Sequence, residues 1–126
     1  MISIVAKWSI LAGKHEAAVA ALKLLAQQVE AQEPFVPMYT IHVPDFASTS
    51  FPTPSDADVV FFSVFDDQAA FEKHLNGPVF RDWLAQHREL FLFNGDNLFV
   101  VSEMLDRIAG YVRPSMVTPV ASTCAA

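Results

Sequence analysis

DVVFFSVFDDQAAFEKHLNGPVFRDWLAQHRELFL, Asp58 to Leu92, is the stretch whose reading decides the fold. Its opening run, Val59 to Phe65, is apolar on both alternating faces. Val59, Phe61 and Phe65 point one way, Val60, Phe62 and Val64 the other, and only Ser63 interrupts. A strand with one wet face alternates apolar and polar residues, so an unbroken run implies cover on both sides. In a chain of 126 residues its own helices can cover one side, and the other requires a partner. Asp66 and Asp67 then place carboxylates where the first amides of a helix lack acceptors, predicting a cap and a helix to about Leu75. Asn76-Gly77-Pro78 breaks that helix and starts a second one, with Pro78 at a first helical position where its missing N–H costs nothing. Phe80, Trp83, Leu84, His87 and Phe91 recur at spacings of three and four, which is one helical face.

Working outward, Ile2 to Leu11 predicts a first strand, with Ile2, Ile4, Ala6, Trp8 and Ile10 on one face and Lys7 as the single mid-strand charge. Lys7 reads as a strand-edge residue with its head in solvent, the alternative being a group that faces a polar cavity. Ala12-Gly13 makes a turn into a long amphipathic helix, Lys14 to about Glu33, striped by Ala18, Leu22, Leu25 and Val29. His15-Glu16 begins like a zinc-protease helix, but the second histidine position holds Val19, so no metal site is expected. Pro34 and Pro37 end this helix, and Met38 to Val43 predicts a second strand. Pro44 to Ala57, rich in Pro, Ser and Thr, reads as a long loop that Phe46 and Phe51 would anchor as a flap. Asn94-Gly95-Asp96-Asn97 is a turn signal, and Leu98 to about Leu105 predicts a fourth strand. Residues 1–112 form one expected domain, and 113–126 a tail laid against a dimer partner.

Composition narrows the function classes. The chain is 52% hydrophobic and only 17% charged, more apolar than an average domain of its size, so part of that surface is expected between subunits. Its net charge of −6 comes with eight scattered Lys and Arg residues, which excludes the basic stripe that nucleic acid or an anionic membrane would need. No apolar run approaches membrane-spanning length and no signal-peptide pattern opens the chain, so a soluble cytoplasmic protein is expected. The lone Cys124 permits no internal disulfide.

The order strand, helix, strand, strand, helix, strand is the split βαβ of an α+β, ferredoxin-like domain (βαββαβ): a four-stranded antiparallel sheet with helices on one face. Ala70 to Phe80, AFEKHLNGPVF, preceded by an acidic turn, resembles the helix segment of the antibiotic biosynthesis monooxygenase family of dimeric α+β barrels. Ile2 to Val5 leading to Gly13-Lys14, and Glu33-Pro34 followed by Tyr39, match the family's opening strand and its entry to the second strand. The resemblance implies a homodimer with sheets closed face to face and a ligand pocket in each subunit between sheet and helices. It also implies an activity drawn from oxidation of phenols or quinols, haem degradation or sugar isomerisation. The haem-degrading branch relies on an Asn, a Trp and a ligand His at positions that fall here on Lys7, His74 and Leu84. A Glu that many relatives carry in the third strand is here Ser63.

The resemblance therefore implies a cofactor-independent monooxygenase acting on a small aromatic phenol or quinol, with no cofactor and no metal. Such chemistry needs a base titrating near neutrality, a donor for the oxyanion and a water-poor apolar pocket. His74 and His87 are the expected catalytic pair, with Trp83 and Phe62 as pocket walls and Tyr39 or Arg81 as donor. The alternatives are a non-catalytic dimeric module that binds a small ligand in the same pocket, or an isomerase of the same superfamily.

Overall fold

The computed structural model describes residues 1–45 and 57–114. Most of the expected flap, and the tail from residue 115 onward, lie outside the described residues. Strand β1 (Ile2–Trp8) leads to helix α1 (His15–Gln32), β2 (Met38–His42), β3 (Val59–Phe65), α2 (Gln68–Asn76) and α3 (Pro78–His87). A short hairpin, β4 (Phe93–Asn94) and β5 (Asn97–Leu98), precedes β6 (Val100–Leu105). The larger sheet is antiparallel with strand order β2-β3-β1-β6. This is the expected α+β, ferredoxin-like arrangement.

Local chemistry sets the element ends. Asp67 caps α2, its Oδ1 accepting from the Ala70 amide at 2.8 Å, which satisfies one of the orphan N–H groups of the first turn. Gly77 closes α2 and caps α3, with Pro78 at the first turn. Gly13 turns the chain out of β1 at φ 79°, a left-handed conformation in which any Cβ would be strained.

Two boundaries differ from expectation. β1 ends at Trp8 rather than Leu11; the chain then bends so that Ile10 bridges Phe91 and the Leu92 amide bonds the Ser9 carbonyl at 3.0 Å. The expected fourth strand begins only at Val100, because the turn at Gly95 folds residues 93–98 into their own hairpin. Lys7 is not at an edge: β1 is an inner strand, and the charge sits on the face away from the helices.

The registers divide the sheet cleanly. Ile4, Ala6 and Trp8, with Phe61, Ser63 and Phe65, share one face with Tyr39, Ile41, Val100 and Ser102. Val5, Lys7, Val60, Phe62, Val64, Thr40 and Glu103 share the opposite face. Glu103 therefore flanks Val5 and Phe62 on the outer face, pointing away from the helices. On the first face α1 lays down Ala18, Ala21, Leu22, Leu25 and Val29, each large aliphatic side chain contributing about 1.5–3 kcal/mol by leaving water. Trp83 ties α3 to α1 by donating its indole N–H to the Ala21 carbonyl at 2.7 Å.

Candidate functional site

Between the helix-side face of the sheet and α2 and α3 lies a cavity of about 350 Å³, within the range that holds small organic ligands. Ile4, Ala6, Trp8, Phe61 and Ser63 form its floor, and Phe71, His74, Leu75, Phe80 and Leu84 its roof. Aromatic rings tile its walls: Trp8 lies tilted against Phe61 at 4.3 Å between centroids, and Tyr39 meets Phe61 edge to face at 5.7 Å. At the β6 end, Val100 and Ser102 line the space from a strand that is exposed along its length.

Polar groups gather at the opposite end. His74 is 3% exposed, enclosed by the rings of Tyr39, Phe65 and Phe80 at centroid distances of 5.1, 5.6 and 5.6 Å. Its Nδ1 pairs with Oε1 of Glu33 at 2.5 Å, and Glu33 is itself only 4% exposed. Nε2 bonds no described residue. His74 as a whole is among the residues that line the cavity. Tyr39 stands beside Ser63 in the cross-strand register. Burial, and then the negative charge of Glu33, push the Tyr39 phenol far above its ordinary value of 10.0. Tyr39 therefore stays a neutral O–H donor throughout the working pH range.

Of the residues expected from sequence, the structure brings His74 and Tyr39 together and separates the rest. Trp83 is buried in the layer between α3 and α1 and is not among the cavity's lining residues. His87 sits one helical turn further on, its ring bonded through Nδ1 to the Trp83 carbonyl at 2.8 Å. Phe62 belongs to the outer face of the sheet. Arg81 is exposed and donates to Asn76 Oδ1 at 2.9 Å. Among the described residues no three His, Cys, Asp or Glu stand close enough together to hold a metal ion.

Glu33 is the residue that sequence reasoning missed. It reads as the solvated last residue of a helix before Pro34, and it lies 41 residues from His74. One signal was available. An acid at a helix C-terminus faces the negative end of the dipole, where a base is favoured, and α1 carries no basic residue in its last turn. A carboxylate kept in that place has a partner elsewhere.

The family model described as antibiotic biosynthesis monooxygenase matches residues 1–86, from β1 through the greater part of α3. The chain belongs to that family. Solved structures agree in fold. The crystal structure of an antibiotic biosynthesis monooxygenase is 16% identical, with 86% of this chain and 100% of that one covered at a TM-score of 0.65. The Rv0793 protein of Mycobacterium tuberculosis is 16% identical, with 88% and 98% covered at 0.63. A dimeric protein of unknown function and ferredoxin-like fold from Bacteroides fragilis is 6% identical, with 84% and 95% covered at 0.64. No curated protein matches the sequence. In this member of the monooxygenase family the cavity's polar end is thus built from β2 and α2, through Tyr39 and His74, with Glu33 at the end of α1 paired to the histidine.

The phenol of Tyr39 gives a stability signature with a definite sign. Above about pH 10 the unfolded chain loses a phenolic proton that the folded protein retains, so the folded state is progressively disfavoured as pH rises. Urea unfolding followed on both sides of about pH 10 should show a smaller alkaline loss in Tyr39→Phe than in the parent. Equal losses would mean that the hydroxyl is not held in its buried setting.

Proposed function

We propose that the protein is a cofactor-independent monooxygenase that oxidises a small aromatic phenol or quinol in the cavity under α2 and α3. The observation that carries this reading is a buried histidine whose Nδ1 is occupied by Glu33 and whose ring lines an aromatic cavity. A histidine so placed can serve as a general base through its free ring nitrogen. It takes the proton of a bound phenol as the O–H bond breaks and an N–H bond forms at Nε2. The phenolate then passes an electron to dioxygen, and the resulting pair combines as a peroxide on the ring carbon. That peroxide recovers the proton from His74 and loses water, leaving a new carbonyl. Phenol and dioxygen become quinone and water, and His74 is restored. Tyr39, kept protonated by its surroundings and lining the same cavity, would donate to the phenolate oxygen.

The same reading includes a homodimer. Val5, Val60, Phe62 and Val101 form an aliphatic and aromatic field on the outer sheet face, flanked by Lys7, Thr40 and Glu103. Val101 and Leu105 are exposed there, and a contiguous apolar surface of this kind favours association. The field is suited to a second copy of the same sheet, as the described dimer of the Bacteroides fragilis protein also suggests by its fold.

His74→Gln should reduce oxygen consumption with a hydroquinone or anthrone-type substrate by roughly 10²–10⁴-fold, the usual weight of a general base. The assay is run in buffer carrying a chelator, with binding of the same substrate followed separately. Unchanged affinity alongside no parental rate to lose would make the protein a binding module instead. For the dimer, Phe62→Arg should halve the mass measured by light scattering; a parent that is already monomeric sinks the pairing.

A further inference from the structure

We infer that Glu33 is a positioning residue for the ionisation of the bound phenol: it fixes the direction in which His74 accepts the proton and supplies the charge that holds it. The assignment rests on the reading of His74 as base. Two structural facts and the chemistry of the pair carry it. Nδ1 is committed to Glu33 Oε1 at 2.5 Å, so the neutral ring carries its proton on Nδ1 and its lone pair on Nε2, and that ring lines the cavity. A carboxylate in that place orients the ring and stabilises the imidazolium formed when Nε2 is protonated. The pair is enclosed by rings, where a charge interaction is screened far less than in water.

The backbone around Glu33 is built to hold it there. Its amide donates to the Val29 carbonyl at 2.9 Å and its carbonyl accepts from the Val36 amide at 3.0 Å, so both sides of the residue are fixed as the helix ends. Across from it, a Cβ at position 77 would stand 3.4 Å from Glu33 Oε2 and 2.8 Å from the Lys73 carbonyl. Glycine there is required by the Lys73 carbonyl, which a Cβ would strike, and it leaves the junction of α2 and α3 in contact range of the carboxylate. The groups facing Glu33 are His74 from α2, Tyr39 from β2 and the Gly77 backbone at the start of α3, while Glu30 on its own helix shares the cleft of about 460 Å³ behind it. Lys73, the nearby cation of α2, lies over the Phe35 ring at 4.2 Å. His74 is therefore the positive partner that Glu33 acquires when the phenol gives up its proton: the O–H bond of the phenol breaks, the Nε2–H bond forms, and phenolate, imidazolium and carboxylate remain in a row.

The test is made without oxygen, so that it is independent of any turnover. A naphthol, whose neutral and anionic forms absorb at different wavelengths, is bound anaerobically at about pH 7, well below its ionisation in water and near the histidine range. The parent should bind it as the anion and His74→Gln as the neutral phenol. Glu33→Gln should retain affinity for the neutral phenol but show an anionic fraction lowered about tenfold or more, the equivalent of one pH unit, and Glu33→Asp should recover part of it. Equal ionisation in the parent and in Glu33→Gln overturns the role of Glu33 while leaving His74 as base. Neutral naphthol in the parent overturns both. Nitrogen-15 spectra of the parent's imidazoles, which need no variant, should show His74 protonated at Nδ1 with a strongly deshielded proton; the Nε2–H form contradicts the assignment.

Discussion

A hydrogen-bonded pair of ionisable groups buried among aromatic rings is the constraint on which this structure depends. Removing either group from water is costly, and their mutual attraction offsets that cost only when the geometry is good and the remaining polar atoms are satisfied. Glu33 and His74 meet both conditions at 2.5 Å, with no buried side-chain polar atom among the described residues left unpartnered. Losing one partner would strand the other in an apolar enclosure. The pair thus ties the end of α1 to the last turn of α2.

That tie has a consequence for the cavity. α1 packs tightly through small and aliphatic residues, with Ala18 and Leu25 fully buried. α2 presents only His74 as a buried residue. The helix is held at its distance by the pair and by mostly tilted ring contacts, and the space beneath it stays open. A Leu at position 74 would suit the same neighbours by polarity, but it would leave Glu33 with a buried charge and no counterpart. Packing, electrostatics and the presence of a site are here one arrangement.

Much of the fold was legible because its signals are local. The Asp67 cap, the Gly77-Pro78 junction and the Asn94–Asn97 turn each rest on a few adjacent residues, and each stands where the sequence placed it. The site was legible only in part. His74 and Tyr39 were within reach because a histidine beside apolar residues on a helix and a tyrosine in a strand announce themselves by type. Phe62 was misassigned to a pocket wall because β3 is apolar on both sides, so periodicity alone does not tell helix side from outer face; the register with β1 does. Trp83 and His87 share a helical stripe with Phe80, but α3 rotates that stripe toward α1, where the Ala21 carbonyl takes the indole N–H. Glu33 was invisible for the plainest reason, a contact spanning 41 positions, although its acid at the wrong end of a helix dipole was a trace of it.

The most direct measurement is a crystal structure of the protein with a planar phenol diffused into the cavity under anaerobic conditions. The account predicts the ring between the sheet floor and α2, its oxygen within hydrogen-bond distance of His74 Nε2, and Nδ1 still on Glu33. A ring lodged elsewhere, or a cavity closed by its own side chains with His74 turned away from it, would contradict the account.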